Sequence, residues 1–174
     1  MSGPDSLARA IEATEGLLLR FVADVDDDMR AVQSPGLPNH FIWVLGHCSM
    51  TMNRLASLID GTPLPDSDFF DGDGVRSDAG RFDTELVRFD STPRGVAEDY
   101  PTMDRGRAVY AAACRRLAAV VRALDESELE STLDWHGAPV RIDDLVVRVG
   151  FHNGAHAGQV LDLRRVLGMP RIIG

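Results

Sequence analysis

Two histidines, His152 and His156, stand four residues apart near the end of the chain, and a third, His47, lies far upstream. On a helix turning about 100° per residue, positions i and i+4 fall within roughly 40° of each other. Their Cβ atoms are then about 5–6 Å apart, so two imidazoles can address one ion. Leu145, Val149, Val160 and Leu163 share that face, which marks it as core-facing. Polar rings aimed into an apolar interior cost free energy unless they find hydrogen bonds or a metal. His47 sits between Trp43 and Met50 on a second apolar stretch, and helical bundles build metal sites from side chains on facing helices. Three neutral imidazoles would hold one divalent ion and leave a coordination position open, as a catalytic site requires. Such an ion could acidify a bound thiol or water.

Each ring also has a plainer reading. A lone core-facing histidine is more often a hydrogen-bonded structural group, but a pair at i and i+4 joined by a third shifts the balance to a metal. His40 and His136 do not join them. His40 would lie about 10.5 Å along the helix from His47, and His136 falls at a turn tip where exposure is expected. A zinc protease would carry H-E-x-x-H with glutamate as general base. Here the stretch is His152-Asn153-Gly154-Ala155-His156, so that base is missing. Gln159 and Asn153 are candidates for orienting the rings. Arg54, two turns beyond His47, could meet an anionic ligand, although a surface ion pair is the commoner role. Asp66, Asp68, Asp71 and Asp73 miss the calcium-loop register and read as a solvated acidic loop.

Four helical segments must position these residues. The first is predicted over about Ser6 to Met29, with Leu7, Ala10, Ile11, Leu17, Leu18, Phe21 and Val25 at helical spacing. The second runs from about Asn39 to Asp60 and is ended by Gly61, with Pro63 and Pro65 preventing continuation. The third follows Thr102 as cap and reaches about Leu124; the fourth covers about Asp143 to Leu167. Between the second and third lies a long irregular connection, Thr62 to Pro101, expected to contain turns and a short helix. A small hairpin around His136-Gly137 precedes the last helix. The expected architecture is an all-α four-helix bundle formed by one domain over residues 1–174. Gly150, Gly154 and Gly158 repeat on the face opposite His152, which suggests that another helix packs closely there, across a dimer interface for example.

Composition narrows the function further. A net charge of −9 over 174 residues argues against nucleic-acid binding. All 18 basic side chains are arginine, so no Schiff-base or phosphate-loop lysine exists. Cys48 and Cys114 have no C-x-x-C partner and read as buried fillers. No apolar run is long enough to span a bilayer, and the amino terminus has no signal-type stretch. A cytoplasmic protein acting on a small molecule is expected.

The segment from Asn39 to His47, with Trp43-Val44-Leu45-Gly46-His47 at its end, resembles the W-x-x-G-H element of the DinB/YfiT-like superfamily. Phe151 to Gln159, followed by Leu163-Arg164-Arg165 and Leu167-Gly168, is similar to that family's closing H-x-x-x-H-x-G-Q helix. The resemblance implies a four-helix bundle, often a homodimer, with zinc or nickel held by His47, His152 and His156. It also implies kinship with transferases and isomerases that use low-molecular-weight thiols such as bacillithiol, mycothiol or glutathione. The leading expectation is therefore a metal-dependent thiol S-transferase acting on small electrophiles. A metal-dependent hydrolase and a non-catalytic metal-binding stress protein are the alternatives.

Overall fold

The computed structural model describes residues 2–74 and 78–173. Four long helices, α1 (Gly3–Phe21), α2 (Phe41–Asp60), α4 (Met103–Arg122) and α6 (Ile142–Val166), carry most of the core. Helix α2 packs on α4 and α6, and α1 packs on the same two. Two short helices, α3 (Thr84–Val87) and α5 (Glu126–Leu129), lie in the connections. No helix among the described residues is long and apolar enough to cross a membrane.

Helix α1 stops at Phe21, eight residues before the periodicity predicts. Beyond it come Asp24, Asp26, Asp27 and Asp28, whose charges oppose the negative end of a helix dipole. The released chain is used elsewhere. The Asp24 carboxylate accepts from the buried Arg164 guanidinium at 2.9 Å, and Asp27 accepts from the Met103 amide at the start of α4. Arg164 also donates to Phe21 O and Pro170 O. One arginine of the closing helix thus ties the end of α1 to the carboxyl-terminal tail.

Helix α2 begins at its cap, His40, whose Nδ1 accepts from the Trp43 amide at 3.3 Å. The opposite nitrogen donates to Arg94 O at 3.0 Å. His40 is fully buried, and burial pushes its pKa down to about 4. The ring is therefore neutral in the fold and is a cap, not a ligand. The unfolded chain protonates near pH 6.5 and the folded ring near 4. Stability from this group is thus complete above about 6.5 and is lost as pH falls from there to about 4. A His40→Asn variant, which keeps a capping side chain, is expected to lose up to about 3 kcal/mol less than the parent between pH 7 and 4. Chemical denaturation at both pH values checks this; an unchanged difference would refute it.

From Phe41 to Met50 every residue of α2 is buried, whereas the spacing suggested a single apolar face. Helices α4 and α6 cover part of it, and the connection between residues 61 and 102 covers the rest. The described part of that connection is more ordered than its sequence indicates. Strand β1 (Phe69–Phe70) pairs in parallel with β2 (Phe82–Asp83), and Asp83 then caps α3 by accepting from the Glu85 amide at 2.8 Å. Asp68 is buried against Arg105 at 2.6 Å, so the acidic loop is only partly solvated. Asp66, Asp71 and Asp73 are exposed, as expected.

The hairpin forms as predicted, with β3 (Thr132–Trp135) antiparallel to β4 (Ala138–Arg141). His136 and Gly137 occupy its turn with φ of 55° and 84°, the positive pair that matches strand twist. Gly150, Gly154 and Gly158 meet nothing: a Cβ added at any of them would have open space for 4 Å. No described helix of this chain packs closely there, so the in-chain form of that expectation fails.

Candidate metal centre

Helix α6 carries His152 and His156 one turn apart, and α2 brings His47 to them. The Nε2 atoms of His47 and His152 are 3.0 Å apart, and those of His152 and His156 are 3.1 Å apart. A tetrahedral zinc ion with Zn–N bonds near 2.0–2.1 Å sets its nitrogens roughly 3.3 Å from one another. Among the described residues, only these three form a group of ligating side chains close enough to share an ion.

Their outer nitrogens decide which lone pairs face inward. His47 Nδ1–H donates to Val87 O at 2.8 Å, which leaves Nε2 without a proton. His156 Nδ1 lies 2.8 Å from Gln159 Oε1, and the same oxygen accepts from Asn39 Nδ2 at 2.9 Å. That arrangement puts the His156 proton on Nδ1 as well. His152 then has two choices. A proton on its Nε2 can satisfy only one of its two neighbours, and leaves a bare Nδ1 facing Asn153 Oδ1 at 3.4 Å. A proton on Nδ1 instead leaves three lone pairs converging on one point. In that second tautomer these residues fit a divalent cation.

Burial keeps the rings neutral. It lowers the pKa of His47 and of His156 to about 4, helped in each case by neighbouring histidines, and it lowers that of His152. Neutral imidazole is the ligating form. Trp43 stiffens the site: its indole stacks on His47 with centroids 4.4 Å apart and planes 10° apart. The Trp43 Nε1–H donates to Leu86 O at 2.9 Å. Leu86 and Val87 are the last residues of α3, whose carbonyls have no partner further along the helix. This short helix therefore aims both Trp43 and His47.

On the open side of the triad lies a cavity of about 210 Å³ walled by His47, His152, Thr51, Phe89 and Trp135. It adjoins an outer groove of about 520 Å³, with which it shares Arg54, Trp135 and His136. His136 is exposed, as its place at a turn tip suggests, but it also forms part of the cavity rim. Cys48 and Cys114 are buried and take no part. Burial raises both thiols, Cys114 to about 12, so neither supplies a nucleophile at neutral pH.

The family model described as the DinB superfamily matches residues 10–160. The chain belongs to the DinB superfamily. Among solved structures, this DinB chain is similar to a conserved protein from Enterococcus faecalis, with a TM-score of 0.70 and 15% sequence identity. That match covers 95% of this chain and 96% of the other, and it shows a shared fold. Comparison with curated proteins gives no match.

All three histidines singled out in the DinB sequence come together, and Gln159 orients His156 as its place in the motif suggests. Asn153 does less: its contact with His152 is long, and its amide nitrogen lies against Met52 Sδ at 3.3 Å. The Val87 carbonyl and the Trp135 wall were not foreseen. A backbone oxygen has no residue-type signature, and Trp135 reads in sequence only as a strand residue beside a turn.

Proposed function

We propose that this DinB protein is a divalent-metal-dependent thiol S-transferase acting on small electrophiles, with zinc or nickel held by His47, His152 and His156. The observation that carries the reading is the convergence of three Nε2 atoms beside a cavity that has no carboxylate in its lining. A bound divalent ion favours the deprotonated form of a thiol next to it. The chain's own residues do the rest. Val87 and Gln159 hold two rings in the ligating tautomer, while Trp135, Met50 and Phe89 exclude water and receive the apolar body of the electrophile. The thiolate sulfur forms a bond to an electrophilic carbon, and the leaving group departs with its electron pair. A hydrolase is ordinarily helped by a general base that takes a proton from the attacking water. The lack of Asp or Glu in the cavity favours transfer over hydrolysis, and an open, lined cavity favours catalysis over a purely structural ion.

The test is a screen of low-molecular-weight thiols with a chromogenic chloroarene, using protein of measured metal content. Turnover that depends on both thiol and metal is expected. Ester cleavage without any thiol-dependent reaction would replace the transferase by the hydrolase.

A further inference from the structure

The molecule is acidic, and its described arginines are almost all engaged. Among the described residues, Arg54, Arg148 and Arg171 alone make neither a hydrogen bond nor an ion pair with the protein. The others are held as Arg164 is by Asp24, Arg105 by Asp68 and Arg122 by Glu12. Arg171 belongs to the carboxyl-terminal tail. The other two stand beside the histidine triad. Arg54 lines both the cavity over His47 and His152 and the outer groove that continues it. Arg148 lines a recess of about 170 Å³ that also touches His152. Trp135 borders all three spaces, so the two guanidinium groups flank it.

Free guanidinium groups are unexpected in a chain with 27 Asp and Glu and 18 arginines. The neighbouring charges sharpen the point. Arg88 also lines the inner cavity but is paired with Glu85 at 2.9 Å. Asp134 lines the outer groove, where its carboxylate accepts from the Gly137 amide and makes no ion pair with Arg54. Neither the inner cavity nor the recess has an acidic side chain in its lining. The approach to the triad is therefore a locally positive funnel on a negative protein, which concentrates small anions. Its geometry also sets a length. Arg54 is seven residues beyond His47 and Arg148 four before His152, about 10 Å and 6 Å along their helices.

We infer that the ligand of this site is a small carboxylic acid, its carboxylate held by Arg54 with Arg148 on the other flank of Trp135. The reacting end then lies at the triad, about 6–10 Å away. The inference rests on the proposed function only for where that reacting end sits. A guanidinium and a carboxylate form charge-assisted, often bidentate hydrogen bonds, which a neutral amide of the same shape cannot match.

The experiment follows the Trp135 indole N–H resonance of the full chain as purified, during titration with glutarate or with glutaramide at matched ionic strength. Glutarate is expected to bind about threefold to tenfold more tightly than glutaramide, and Arg54→Gln with Arg148→Gln to abolish the preference. Arg171→Gln is expected to leave it intact. Equal binding of acid and amide, or a preference that survives the double substitution, would overturn the inference. Titrations with 3-mercaptopropionate and with 4-chlorobutanoate assign the carboxylate to the thiol or to the electrophile. The true source is the one that loses more affinity in Arg54→Gln. Metal content measured on the same samples separates the two proposals. A glutarate preference without metal uptake would remove the transferase and leave the carboxylate site, and metal uptake without the preference would do the reverse.

Discussion

Replacing His47 by alanine is expected to lower the affinity for a divalent ion by two orders of magnitude or more. Removing even an orienting group outside the ligand set typically costs 10–100-fold, and His47 would be a ligand itself. Its loss leaves His152 and His156 alone on α6; no carboxylate or thiol lines the cavity, and the rim imidazole of His136 is not among the groups close enough to share the ion. The variant should still fold. His47 is stacked on Trp43, but that indole keeps its own bonds to Leu86 O and Ser91 Oγ. Gln159→Leu is expected to have the smaller effect, because it frees the His156 ring without deleting a donor. Elemental analysis after dialysis, with melting curves as the control for folding, checks both. A His47→Ala protein carrying a full equivalent of metal would remove the three-histidine centre.

Much of this site could be read before the fold was known, because helical periodicity relates residues four apart without tertiary information. His152 and His156 needed only the assignment of α6 as a helix. His47 needed one further premise, that two apolar helix faces meet. What sequence could not supply was the structure of the connection from Thr62 to Pro101, which has no sustained period of 2 or 3.6 to follow. Its order comes from tertiary partners, such as Arg105 on Asp68 and Trp43 on Leu86 O, and these join residues distant in sequence. The early end of α1 escaped for a related reason. Val22 and Val25 do point into the core, so hydrophobic spacing continues while the backbone does not, and the aspartates between and after them decide. Of the positive funnel only Arg54 was legible, from its place two turns beyond His47; Arg148 was not, because the charge of a cavity depends on which arginines find carboxylates.

The glycine of the W-x-x-G-H element has a mechanical role that leads to a second large expected effect. A Cβ on Gly46 would lie 2.6 Å from the Phe82 ring and 2.9 Å from Val87 Cγ1. Both neighbours are fully buried, so neither can swing aside into solvent. Alanine is ordinarily about 1 kcal/mol better than glycine inside a helix, whereas overpacking a tight core costs about 1–3 kcal/mol. At 2.6 Å from a ring in a closed core the second effect wins, and Gly46→Ala is expected to lose about 1–2 kcal/mol. In a chain of this length that corresponds to a melting point lower by roughly 2–8 °C. The same displacement reaches the site, because Val87 is also the residue whose carbonyl holds the His47 tautomer. Moving it outward frees His47 to rotate or to carry its proton on Nε2, so affinity for the ion should fall about 10–100-fold. Gly106 gives the contrast. A Cβ there would meet the far end of the Ile42 side chain, with no atom of Val87 among its three nearest neighbours, so Gly106→Ala strains the core but leaves the Val87 carbonyl in place. Metal titration of the two alanine variants therefore separates loss of packing from loss of ring orientation. If Gly46→Ala melted higher than the parent and bound metal as tightly, close approach of α3 would not be what fixes His47.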